Sequence, residues 1–85
     1  MAFGKLLEAG LIKPGQTLYF GKKGEVTGRV RADGAILCRD MVGSIHQVGR
    51  KLIDGPCNGW DHWYFKDGSE MKPLNVLREV YLTHP

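Results

Sequence analysis

The cysteines and histidines of this sequence, Cys38, Cys57, His46, His62 and His84, are five potential zinc ligands. A structural zinc needs such ligands in closely spaced pairs, C-x-x-C or H-x-x-x-H. Neither spacing occurs, and strand alternation turns Cys38 inward, so a buried cysteine among surface histidines is the preferred reading. There is no P-loop, no G-x-G-x-x-G, no paired-carboxylate motif and no G-x-S-x-G turn. Methyl transfer, hydrolysis and phosphoryl transfer therefore have no residues assigned to them.

Ligand contact is better represented, and it is concentrated between Gly43 and Phe65, in GSIHQVG and CNGWDHWYF. Ser44 with Gln47 three residues later fits a capping box at a helix start. Free N–H groups at Ser44, Ile45 and His46 could hold a phosphate there, in competition with the cap itself. Asn58 offers an amide that reads a base edge, or it is a left-handed turn residue. Trp60 offers a flat ring on which an unpaired base stacks, or it packs under the last helix. Arg50 and Lys51 on the same helix are candidates for phosphate contact. Arg29, Arg31 and Arg39 are candidates too, and a solvated strand face interleaved with Glu25 and Asp40 accounts for them equally well.

The elements that must position these groups follow from period and punctuation. Phe3 to Ala9 reads as a short helix with Phe3, Leu6 and Leu7 on one face and Gly10 beyond its end. Thr17–Phe20, Glu25–Arg31 and Ala35–Asp40 read as strands. A three-residue loop, Ala32-Asp33-Gly34 with Gly34 left-handed, pairs Val30 with Ile36 and Gly28 with Cys38. That register gathers Val26, Val30, Ile36 and Cys38 inside and Arg29, Arg31 and Arg39 outside. From Ser44 a helix carries Ile45, Val48, Gly49 and Leu52 on its core stripe, with Gly49 explained by close packing against a strand. Trp60–Phe65 reads as a strand with Trp63 and Phe65 inward and Trp60, His62 and Tyr64 on the other side. Pro73 opens a last helix to Leu82, with Leu74, Leu77 and Tyr81 as its stripe, widened by Val76 and Val80. The expected fold is α+β, a small antiparallel sheet of about four strands with three short helices.

Eighty-five residues make one small domain. The 42% apolar and 25% charged fractions suit a globular chain. The net charge of +3 permits an anionic partner without demanding one, and predicts weak, salt-sensitive binding, in the range of about 10⁻⁴–10⁻⁶ M. No targeting pattern opens the chain, no apolar run approaches the ~20 residues of a membrane span, and a reducing cytoplasm is expected for the two cysteines.

GLIKPGQTLYF, the RVRADG hairpin, GSIHQVG, CNGWDHWYF and KPLNVLR together resemble the C-terminal domain of adenine-N6 DNA methyltransferases, known as the restriction enzyme–adenine methylase associated (RAMA) domain. The nearest likeness is to the CcrM-like and HinfI-like enzymes that act on GANTC. The likeness runs from Phe3 to about Leu82; His62 and Asp61 depart from it, where the family often has Phe and Thr. It implies a single DNA-binding domain over residues 1–85 that is not an enzyme by itself. The D-P-P-Y-type motif and the S-adenosylmethionine loop belong to a catalytic half not contained in these residues, so no cofactor is expected here. Ser44, Asn58 and Trp60 match positions that the resemblance implies touch DNA. His46, Arg50, Lys51 and Arg31 join them as contact or attraction residues. The implied partners are DNA, double-stranded or locally opened, and the catalytic domain of the parent chain, in the bacterial cytoplasm with its nucleoid and not at a membrane. A stand-alone reader of methyladenine DNA is the alternative function. Homodimerisation through residues such as Leu37 and Val76 is a third.

Overall fold

The computed structural model of the protein describes residues 1–83; His84, one of the potential ligands above, lies outside the described residues. Six strands are present: β1 (Thr17–Phe20), β2 (Val26–Val30), β3 (Ile36–Cys38), β4 (Met41–Gly43), β5 (Trp63–Asp67) and β6 (Glu70–Pro73). They form one antiparallel sheet in the order β4-β3-β2-β1-β5-β6. The helices are α1 (Gly4–Glu8), α2 (Ile45–Ile53), α3 (Gly59–His62) and α4 (Leu74–Thr83). The α+β class stands, with two more strands and one more helical turn than expected.

The additions have local causes. Arg39 and Asp40 form a two-residue turn, so Met41 pairs back onto Cys38 and extends the sheet by a three-residue edge strand. Lys66 pairs with Met71 and Asp67 with Glu70, which makes a hairpin of the segment between the expected strand and the last helix. Pro73 ends that edge strand and the helix begins at Leu74, a place where the missing N–H costs the sheet nothing. The β2–β3 register is as derived from loop length: Val30 lies opposite Ile36, and Gly34 has φ +87°.

Alternation then sorts the sheet into two unlike faces. Leu18, Val30, Ile36, Cys38, Trp63 and Phe65 are buried on one of them, together with Leu6 and Ile12 from the N-terminal segment, Ile45 and Val48 from α2 and Leu74 from α4. Trp63 is fully buried and its indole N–H donates to the Ile45 carbonyl at 2.9 Å, fastening β5 beneath α2. Gly49 permits the same approach from α2: a Cβ there would stand 2.5 Å from the Cys57 Sγ and 3.3 Å from the Phe20 ring. On α4 the stripe is narrower than expected. Leu74, Leu77 and Tyr81 meet the core, while Val76 and Val80 are exposed. No helix among the described residues is long and apolar enough to cross a membrane.

Candidate nucleic-acid interface

The start of α2 is a complete capping box. The Gln47 N–H donates to Ser44 Oγ and the Ser44 N–H donates to Gln47 Oε1, both at 3.0 Å. The Val48 N–H donates to the Ser44 carbonyl. This corrects one expectation: the Ser44 N–H is used, and the donors left at the helix start are those of Ile45 and His46. Ser44 Oγ accepts in the cap, so its own hydroxyl hydrogen is still available to donate.

The segment after α2 is where the structure departs most from the sequence reading. Trp60 does not begin a strand; it belongs to the α3 turn, and the strand starts at Trp63. Asn58 is the N-cap, with φ −93° and ψ 103°, extended rather than left-handed. Its Oδ1 accepts from the Trp60 N–H at 3.1 Å, and its Nδ2 donates to Asp61 Oδ2 at 3.1 Å. The turn can sit tightly on α2 because Gly59 has no side chain; a Cβ there would lie 2.7 Å from Ile45 Cγ1. Turning three residues helically rotates Trp60 out of strand parity and into the interior, where it is only 3% exposed. Phe3 lies 6.1 Å from the indole, His46 6.5 Å, and the Arg78 guanidinium covers it at 5.2 Å. The expected open stacking platform is thereby corrected. Trp60 is a pin under α4 with no free face for a base.

His46 ties the two turns together. Its Nδ1 accepts the Gly59 N–H at 2.9 Å, which leaves the proton of the neutral ring on Nε2. Burial pushes its pKa below the usual histidine value, and the nearby charges of Arg50, Arg78 and the Met1 amino group push it the same way. The ring is therefore a neutral donor among cations. His62, one turn away, stacks on Phe20 at 5.9 Å, and its Nδ1 lies 2.9 Å from the Asn58 carbonyl.

Ser44, His46 and Asn58 thus come together where α2 and α3 begin, with Arg50 one turn beyond His46. Arg78 joins them, and sequence reasoning missed it. Its signal was a cation on the apolar stripe of the last helix, between Leu77 and Tyr81, where the charged head must reach water or find a partner. Among the described residues neither Arg50 nor Arg78 is in an ion pair. Lys51 faces a neighbouring shallow groove of about 420 Å³ lined by Val42, Gln47, Val48, Arg50 and Asp54. Arg31 stands apart: it is at the hairpin tip and its charge is answered by Asp33 at 3.0 Å. Leu37 and Val76 are exposed, on different elements. Cys38 and Cys57 are free thiols, Cys38 buried, and burial raises the pKa of both. Among the described residues no three His, Cys, Asp or Glu side chains converge on a metal site.

The structure is a small α+β domain with a cationic corner where α2 and α3 begin. The family is specific: the model for RAMA, Restriction Enzyme Adenine Methylase Associated, matches residues 1–84. The chain belongs to the RAMA family, whose members are associated with adenine methylases.

Proposed function

We propose that this domain is the DNA-contacting arm of a GANTC-type adenine-N6 DNA methyltransferase of the CcrM-like and HinfI-like group, and that it is not catalytic by itself. The arm holds the strand opposite the target adenine while a separate catalytic domain extracts that adenine for methylation. The observation that carries the reading is the gathering of Ser44, His46, Asn58, Arg50 and Arg78 at one corner, with neither arginine in an ion pair among the described residues.

Each group has a role its geometry allows. The hydroxyl of Ser44, the N–H groups of Ile45 and His46, and His46 Nε2–H supply donors at the positive end of α2, where a phosphate is favoured. Arg50, Arg78 and Lys51 supply attraction, and Arg31 adds a weaker contribution because Asp33 offsets it. Asn58 spends one lone pair on the α3 cap and one N–H on Asp61, keeping one of each for a base edge. Trp60 acts by positioning: it holds α3 and Arg78 where the corner needs them.

Fluorescence anisotropy with a labelled GANTC duplex, titrated at several salt concentrations, tests this. Arg50→Gln and Lys51→Gln should each reduce the log–log salt slope by about 0.9. Slopes and affinities equal to the parent in both variants would remove this corner as the DNA contact.

A further inference from the structure

The face of the sheet turned away from the helices is uncovered. Its side chains are in register as two rows. One runs Tyr64, Tyr19, Thr27 across β5, β1 and β2. The other runs Thr17, Arg29, Leu37, Val42 across β1 to β4. Between them lies a groove of about 230 Å³ lined by Thr17, Thr27, Gly28, Arg29, Leu37 and Arg39. The lining holds two guanidinium groups and two hydroxyls and no carboxylate. Among the described residues neither arginine is in an ion pair. Lys66 adds a third cation, 5.3 Å over the Tyr19 ring.

Arg39 carries an independent mark. It occupies the first central position of the β3–β4 turn with φ +57°, a left-handed conformation that Gly, Asn or Asp adopts with less strain. A long cationic side chain there is maintained at a cost in stability. The side chain so held lines the same groove as Arg29.

We propose that this groove is a second nucleic-acid contact, in which Arg29 and Arg39, with the hydroxyls of Thr17 and Thr27, hold a phosphate of a DNA backbone. Paired guanidinium forks with hydroxyl donors match a tetrahedral anion, and the excess of positive charge on this face complements a polyanion. The inference rests on the reading of the chain as a DNA-contacting domain but uses the opposite side of the sheet from the α2–α3 corner. The two contacts therefore engage different stretches of DNA, or one stretch that bends around the β4 edge.

The test uses the 85-residue chain, a labelled GANTC duplex, anisotropy across a salt series, and thermal melting by circular dichroism. Arg29→Gln combined with Arg39→Gln should weaken binding and reduce the log–log salt slope by about 0.9, the value for one phosphate contact. Arg39→Gly should melt higher than the parent while binding the duplex more weakly. An Arg39→Gly protein that binds like the parent overturns the proposal, as does an unchanged slope in the double variant. Arg50→Gln with Lys51→Gln separates the two surfaces. If only that pair weakens binding, the sheet face fails and the corner stands; if only the sheet variants do, the reverse holds. A polyglutamate competitor that binds as tightly as DNA, and loses affinity in the same sheet variants, would assign the groove to an acidic peptide instead and overturn the nucleic-acid reading.

Discussion

Replacing Trp60 by alanine is the perturbation that separates a buried pin from a stacking platform. The indole is 3% exposed and in contact with Phe3, His46 and Arg78, so removing it opens a cavity in the core beneath α4. Trp→Ala at such a site costs about 3–5 kcal/mol. Part of that is the Arg78 cation–π contact, worth about 0.5–2 kcal/mol. A domain of 85 residues has about 4–13 kcal/mol in total, at roughly 0.05–0.15 kcal/mol per residue, so the variant is left marginal. Trp60→Phe retains a ring against His46 and Arg78 and should lose less, about 0.5–3 kcal/mol. Urea unfolding followed by far-UV circular dichroism measures both. DNA anisotropy is then compared at equal concentrations of folded protein, where Trp60→Phe should bind like the parent. Acrylamide should quench the parent's tryptophan emission poorly, and DNA should not change that. A Trp60→Ala protein as stable as the parent, yet unable to bind DNA, would refute the burial argument and restore the exposed ring.

Three further outcomes follow from the same geometry. His46 is held below its ordinary pKa of 6.5 in the folded protein, so the unfolded chain takes the proton first as pH falls. Its contribution to stability is complete above that value and declines as pH drops from there through the folded pKa, with a slope of at most about 1.4 kcal/mol per pH unit. Urea midpoints between about pH 8 and pH 5 should show this in the parent and lose it in His46→Gln, whose amide oxygen can still accept the Gly59 N–H. Ser44→Ala removes the acceptor for the Gln47 N–H and should cost about 0.5–2 kcal/mol in the same assay. Gly49→Ala would gain about 1 kcal/mol of helix propensity, yet its Cβ meets Cys57 Sγ at 2.5 Å; overpacking of about 1–3 kcal/mol should outweigh the gain, and Cys57→Ala should recover much of the loss.

The legible features of this chain were those whose partners are close in sequence. Ser44 and Gln47 are three residues apart and their reciprocal cap was readable as a pattern. The Val30–Ile36 pairing followed from loop length, because a one-residue slip would have put arginines into the core. Trp60 was misplaced because parity was counted through a segment that is not all strand. The signal was present: Asn58 followed by Asp61 is itself a helix-start spacing, and the structure shows their amide–carboxylate contact. Read that way, the strand begins three residues later and the indole turns inward. Arg78 was overlooked because a helical stripe identifies which residues share a face, not which distant ring they cover.

The order of amino acids alone determined the class of fold, the core strands, the α2 cap and the family signature, since each is set by alternation, turn chemistry or short-range hydrogen bonds. What required the folded chain was the meeting of elements far apart in it. The hydrogen bond from Gly59 to His46, the lid of Arg78 over Trp60, and the sharing of one groove by Arg29 and Arg39 all depend on how strands are ordered and where helices dock. Those choices arise from packing the whole core at once. A local pattern carries no record of them.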